Sequence, residues 1–265
     1  MGEETDRAWN DTSVAKVYAR ASGLMPAEMA LFGEAWSSIA GGRVLDLGVG
    51  GGRTVPFLKG PAREYVAVDY ADAMVEACRA RHPGVDVRRG DARDLAGLDD
   101  EHFDFVFFSY NSIDYMPAEE RRSVYASAHR VLRPGGHFGM CSHNLRTVER
   151  FPSRFALPEV EWTASPLRLG ARLARASAET VKSLRNHRKL RSEERRGEGF
   201  AVINDATHAF SMLVVYVDPA WQVAELERAG FVDVSVIDQQ GRTVDPATIR
   251  DEWVHYLARR PDRST

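Results

Sequence analysis

Cysteine is nearly absent from this chain, with two residues in 265. That excludes a disulfide framework. Cys78 falls in a helical stretch, and Cys141 sits inside an apolar strand, where a small buried hydrophobe is the expected role. Long hydrophobic runs are also missing, and nothing approaches the roughly 18 apolar residues of a membrane span. The opening residues 1–6 carry three acids and no apolar core, so no signal peptide is read there and a cytoplasmic location is expected. Charge of one sign is not in excess. The net charge is −3, so no global attraction to nucleic acid or to a membrane is implied. No grouping of His, Cys and acid has metal-ligand spacing, and no metal is expected. What the chain does have is 44% hydrophobic content. At this length it can bury one good core, so one domain with an elaboration is the natural reading.

Glycine is concentrated in one place. Residues 44–54 place an apolar strand ending around Asp46, then a loop containing Gly48, Gly50 and Gly52, then a helix start at Arg53-Thr54. This is the nucleotide-binding turn of a doubly wound α/β fold, where glycines let the backbone approach a ligand that a Cβ would meet. A dinucleotide fingerprint needs a third glycine where Arg53 stands, which weakens a nicotinamide-cofactor reading.

Further signals follow in order. A second strand, 65–68, ends at Asp69, and Tyr70 and Met74 lie in the helix start beyond it. An acid there can accept from both hydroxyls of a ribose. A short strand, 85–89, closes on Gly90-Asp91-Ala92. Residues 103–108 have the composition of a fully buried strand and open into Ser109-Tyr110-Asn111-Ser112-Ile113-Asp114-Tyr115. A helix over 117–130 stops at the turn Arg133-Pro134-Gly135-Gly136, and a fifth strand covers 137–143.

This succession resembles the class I S-adenosylmethionine (SAM) methyltransferases, densely over 42–144 and again over 221–238. There a helix followed by Gly230-Phe231 looks like the entry to the sixth strand, with 253–259 as an antiparallel seventh. The region after the fourth strand looks like a bacterial subgroup of small-molecule methyltransferases. The resemblance implies a seven-stranded Rossmann-like sheet with an N-terminal helical lid and an insert after the fifth strand. It divides the chain into a lid (1–41), a SAM-binding domain (42–144 and 218–265) and a substrate cap (145–217). It implies SAM as cofactor and S-adenosylhomocysteine as product. The cofactor-binding residues it implies are Tyr18, Asp46, Gly48, Gly50, Gly52, Thr54, Asp69, Tyr70, Met74, Asp91, Ala92, Ser109 and Tyr110. Asp69 would take the ribose and Asp91 the adenine amino group. Arg53 is read as a surface pair.

Residues 10–39 have helical spacing, either as a lid over the cofactor or as a cover on the sheet edge. About seventy-five residues separate the fifth strand from Trp221, too many for a bare loop. Within them, residues 167–196 hold ten Lys or Arg against three Glu. Such a stretch can line a pocket for an anionic substrate, touch nucleic acid, or be a solvated face. Its lack of aromatics argues against base stacking. Residues 193–199 read as a flexible tip, and 208–217 as an extra strand.

Methyl transfer is a displacement at a sulfonium methyl, where proximity and orientation dominate and a base is needed only if the nucleophile must lose a proton. Catalytic candidates therefore lie beyond the carboxyl ends of the strands: His143 as base, Asn111 to orient, and Tyr115. The alternatives are a histidine that only ends its strand and an asparagine that only satisfies its turn. The Pro-Pro pair of the amino-methylating enzymes of this fold is missing after the fourth strand, so base amino groups are poor acceptors. The expected function is methyl transfer to a small molecule, at a hydroxyl or carboxyl oxygen of a secondary metabolite or saccharide. The alternatives are N-methylation of a small amine, SAM binding without transfer, and RNA methylation. Nucleic-acid and membrane partners are not expected, and the chain is read as a monomer or homodimer.

Overall fold

The computed structural model describes residues 9–10, 17–150, 163 and 165–263, with the side chains of 149, 150, 207 and 208 left aside. Part of the N-terminal helical stretch, including Val14, lies outside these residues, as does part of the insert.

The sheet is built around β1 (Arg43–Leu47), with β2 (Glu64–Asp69) and β3 (Asp86–Arg89) on one side and β4 (Phe103–Phe108) and β5 (Leu132–Asn144) on the other. These five strands pair in the parallel order β3-β2-β1-β4-β5. Crossovers put helices on both faces, so the central strands are apolar on both sides. From Phe105 to Phe108 successive residues of β4 alternate between two cores, and Phe103, before a register shift, joins the first. Phe103, Val106 and Phe108 pack with Leu45, Leu47 and Tyr125, whereas Phe105 and Phe107 pack with Val44, Leu31 and Phe32.

On the second face lie α1 (Pro26–Glu34), α2 (Trp36–Ile39), α3 (Val55–Leu58) and α4 (Asp72–Arg81). On the first lie α5 (Arg121–Val131) and, beyond α6 (Leu145–Arg150) and α7 (Pro166–Leu190), the helix α8 (Pro219–Arg228). Asp218 caps α8, its Oδ1 accepting from the amides of Ala220 and Trp221.

The expected seven strands are present, and the insert adds three: β6 (Arg195–Gly197), β7 (Phe200–Ile203) and β8 (Val214–Val217). The stretch read as a flexible tip is the β6–β7 hairpin, turning at Gly199 with φ +74°. The extra strand is confined to β8, because 207–210 form a 3₁₀ turn. β8 runs parallel to β5 at His143 and Asn144, past the point where β4 ends. β9 (Val232–Ile237) pairs antiparallel with β10 (Trp253–Arg259), and β10 pairs antiparallel with β5. β5 is longer than expected: the Arg133–Gly136 turn lies inside it, as a register shift against β4.

His255, on β10, is fully buried, and among the described residues neither ring nitrogen has a hydrogen-bond partner. Burial pushes it down from 6.5 to about 4, with the nearby Glu28 charge only partly opposing. Between those two values the unfolded chain takes up a proton that the folded chain refuses, so stability falls as pH falls through that window, by about 3 kcal/mol in all. His255→Leu should therefore gain stability over wild type, more at pH 4.5 than at pH 7. Urea unfolding at both pH values checks this, and an equal difference at both would remove the histidine from the explanation.

Candidate active site

The loop after β1 turns because Gly48, Gly50 and Gly52 hold φ values of +59°, +53° and +79°. At Gly48 a Cβ would lie 2.7 Å from the Phe108 ring, so the turn also needs the missing side chain. Gly51 meets the N-terminal segment so closely that its Cβ would stand 2.5 Å from the Ala19 backbone. Asp69 ends β2 and steadies this loop: its Oδ2 accepts from the Gly50 amide at 2.8 Å and its Oδ1 from the Ala71 amide at 3.0 Å. Burial raises the Asp69 carboxyl, and these amides hold it back.

A cleft opens over the loop at the carboxyl ends of β1, β2 and β4. Ten expected residues line it: Tyr18, Gly48, Gly50, Asp69, Tyr70, Met74, Ala92, Ser109, Tyr110 and Tyr115. Trp9 joins them, edge-on to Tyr18 at 5.4 Å and to Tyr115 at 5.0 Å. Burial lifts the Tyr18 phenol to about 12 and raises Tyr115 still further. Both therefore stay protonated at neutral pH, and Tyr115 forms an aromatic wall rather than a base.

Four expected cofactor contacts are placed elsewhere. Asp46 is fully buried behind the loop, where its Oδ2 accepts from Thr54 Oγ1 at 2.5 Å and Tyr65 Oη at 2.7 Å. Burial lifts its carboxyl to about 6 against those two bonds. Asp46 and Thr54 thus brace β1 against α3 from below. Gly52 packs on His82, whose ring a Cβ would meet at 2.5 Å. Asp91 turns its carboxylate to Arg93, whose Nε lies 2.9 Å from both oxygens, so Gly90 and Ala92 line the cleft there instead. Burial works against the Asp91 charge, but the Arg93 bonds outweigh it and hold the carboxyl below its usual range.

Arg53 is not a surface residue. It is 8% exposed and donates to Glu28 Oε2 at 2.7 Å, Glu28 Oε1 at 2.5 Å and the Gly23 carbonyl at 2.9 Å. Its guanidinium also stacks 4.8 Å over the Tyr110 ring, and it lines the cleft.

One side chain behind the cleft wall lies a second constellation. His143, at the end of β5, has Nδ1 2.8 Å from Asp114 Oδ2, and that same oxygen accepts the His143 amide at 2.7 Å. Asp114 Oδ1 accepts from Arg121 at 2.6 Å and from Ser142 Oγ at 2.5 Å. With donors on every side, Oδ2 accepts from the ring, so Nδ1 carries a proton, and in the neutral imidazole Nε2 is the nitrogen with the lone pair. Asn111 Nδ2 is 3.4 Å from Nε2, a long contact, while its Oδ1 accepts from the Cys141 thiol at 2.5 Å. Cys141 is therefore not a plain hydrophobe. Tyr110 and Asn111 both take left-handed backbone, φ +54° and +56°, which is uncommon for a tyrosine. This kink turns one side chain to the cleft and the other to the histidine. Trp253 bridges the two, its ring 5.2 Å from Tyr110 and 5.9 Å from His143. Tyr216 covers the other side of the imidazole at 4.9 Å. His143 and Asn111 do not line the cleft itself. Among the described residues no cluster of three His, Cys, Asp or Glu could hold a metal ion.

Residues 44–136 match the family described as a methyltransferase domain. A probable S-adenosylmethionine-dependent methyltransferase of Mycolicibacterium smegmatis is 28% identical over 212 residues, covering 80% of this chain and 77% of that protein. The demethylmenaquinone methyltransferase of Clavibacter sepedonicus is 34% identical over 113 residues, covering 42% of this chain and 44% of that one. Among solved structures, the SAM-bound amino pentose methyltransferase of Micromonospora echinaspora shares the fold with a TM-score of 0.54 at 17% identity, over 94% of this chain and 96% of that one. The chain carries a SAM-dependent methyltransferase domain.

The cleft of this methyltransferase fits SAM. Gly50 lines it with open space where a Cβ would stand, leaving room for a ligand against the loop. The Asp69 carboxylate, half-buried at the strand end, retains lone pairs beyond those taken by the two amides. When bound there, SAM supplies an electrophilic methyl on a cationic sulfur. Asp69→Ala should weaken S-adenosylhomocysteine binding by about 1–3 kcal/mol, through lost charge-assisted bonds and a looser loop. Calorimetric titration of both proteins measures this, and unchanged affinity would remove Asp69 from the ribose site.

Proposed function

We propose that this methyltransferase acts on an oxygen of a small molecule, a hydroxyl or carboxyl, with His143 as general base for a hydroxyl; a carboxyl is already ionised at neutral pH and attacks without one. The observation that carries the reading is the His143–Asp114 pair at 2.8 Å. A neutral amine can attack first and lose its proton afterwards, whereas a hydroxyl is a poor nucleophile until its proton is taken. A buried, carboxylate-oriented imidazole is the device an O–H acceptor needs. The acceptor oxygen displaces the long Asn111 contact and presents its proton to Nε2. The C–O bond forms as the C–S bond breaks, the C–S electron pair stays on sulfur as the neutral sulfide, and the imidazolium later releases its proton to water. Asp114 holds the ring orientation throughout, and Asn111, fixed by Cys141, orients the acceptor. The aromatic wall of Trp9, Tyr110 and Tyr115 excludes water from the transfer.

Within this reading the chain divides into an N-terminal part (1–41), of which the segment around Tyr18 serves as lid while α1 and α2 pack on the sheet, the SAM-binding domain in 42–144 and 218–265, and a cap in 145–217. The close packing of Ala19 on Gly51 and the position of Tyr216 over His143 support it. The test is S-adenosylhomocysteine formation against a panel of phenols, hydroquinols, sugar hydroxyls, carboxylic acids and amines. Turnover on hydroxyl or carboxyl acceptors is the expected result; turnover confined to amines would overturn the oxygen assignment.

A further inference from the structure

The helix α7 runs 25 residues, from Pro166 to Leu190, and its last turns are tied to the body. There Asn186 donates to the Ala209 carbonyl at 2.9 Å, His187 packs on Phe210 at 4.9 Å, and Leu190 is buried. Upstream, Leu167, Leu173, Val181 and Leu184 are 88%, 48%, 65% and 40% exposed. At about 100° per residue these four fall within about 120° of the helix circumference. Arg168, Arg172, Arg175, Lys182 and Lys189 occupy a separate arc of about 100°. Arg185 stands at the border between the arcs, and Arg188 interrupts the apolar arc only near the anchored end. The helix carries seven Lys or Arg and one acid, Glu179.

We propose that α7 is a peripheral anchor that lays its leucine face on an anionic lipid surface. Its charge pattern discriminates among occupants. Two copies of α7 laid face to face would bring together fourteen cations and two acids, twice the seven and one of each helix. A nucleic acid would neutralise the cations but leave the leucines in water. A bilayer with anionic headgroups satisfies both arcs: the leucines enter the acyl boundary while the long Arg and Lys side chains reach up to the phosphates. The net charge of −3 conceals this because the cations are segregated on one element. No helix among the described residues is long and apolar enough to cross a membrane, so the contact is superficial. α7 packs on the 207–210 turn, next to Asp205, which accepts from the Tyr216 hydroxyl at 2.7 Å. The anchored face thus adjoins the wall that covers His143.

The experiment is co-sedimentation of the purified full chain with phosphatidylcholine vesicles, with and without phosphatidylglycerol at about a third of the lipid. Wild type should pellet with the anionic vesicles alone, and less as salt rises. Two variants separate the arcs: Arg168→Glu/Arg172→Glu/Arg175→Glu, and Leu167→Ser/Leu173→Ser/Val181→Ser/Leu184→Ser. Each should lose binding by about 100-fold or more, with S-adenosylhomocysteine affinity unchanged as proof of folding. Wild type remaining in the supernatant would overturn the proposal. So would a leucine variant that still pellets like wild type, or an α7-dependent dimer or RNA complex formed without vesicle binding.

Discussion

His143→Ala is expected to lower methyl-transfer turnover by about 10²–10⁴-fold while leaving S-adenosylhomocysteine affinity unchanged. The reason is positional. His143 contacts Asp114, Asn111, Tyr216 and Trp253 but does not line the cofactor cleft, so its removal touches the proton and not the cofactor. Asp114→Asn is the companion. An amide in place of the carboxylate no longer fixes the proton on Nδ1, and Nε2 is no longer reliably the basic nitrogen. Its turnover should fall with kcat rather than KM, since Asp114 is fully buried and acts through the ring. Asp114 also pairs with the buried Arg121, so thermal stability must be followed alongside. Full kcat in a folded His143→Ala protein would return the histidine to a strand end held in place by hydrogen bonds.

The parts of this site that were legible in the sequence are those whose signal is local. The glycine loop, Asp69 at its strand end, and the run from Phe103 to Phe108 each announce themselves within a few residues, because a parallel strand buried on both faces must be apolar throughout. Asp46 and Asp91 were legible as acids near the cofactor, but their orientation was set by partners that motif spacing does not name, Tyr65 and Arg93. Asp114 lies in the stretch read as catalytic, yet its role depends on His143, 29 residues onward. Nothing local marks Arg121, a long cation on a helix whose usual place is solvent. It is buried here because Asp114, Tyr125 and Gln222 all meet it. The β6–β7 hairpin was illegible for the opposite reason: Arg195, Arg196 and Gly197 are all exposed, so no apolar alternation betrays the strand.

Arg53 carries the other large expectation. Arg53→Ala should destabilise the fold by about 3–5 kcal/mol, because it leaves the fully buried Glu28 carboxylate without its cation. In a chain of this size that corresponds to a fall in melting temperature of roughly 6–20 °C. The pair joins two elements that motif spacing treats separately, the turn after β1 and the first turn of α1, where Glu28 Oε2 also accepts from the Met25 amide at 2.9 Å. Losing the cation should therefore free the N-terminal segment that packs on Gly51 and carries Tyr18 over the cleft, and cofactor affinity should fall together with stability. The double variant Arg53→Met/Glu28→Gln separates the two effects. It removes both charges and keeps most of the volume, so it should recover much of the stability. It should not recover the cofactor affinity, because the bonds from Arg53 to the Gly23 carbonyl and over the Tyr110 ring stay broken. Thermal melts and S-adenosylhomocysteine titrations of the three variants, with Glu28→Gln as the third, decide the matter. If Arg53→Ala melts within a degree or two of wild type, the ion pair does not hold the segment, and the closeness of Ala19 to Gly51 must come from packing alone.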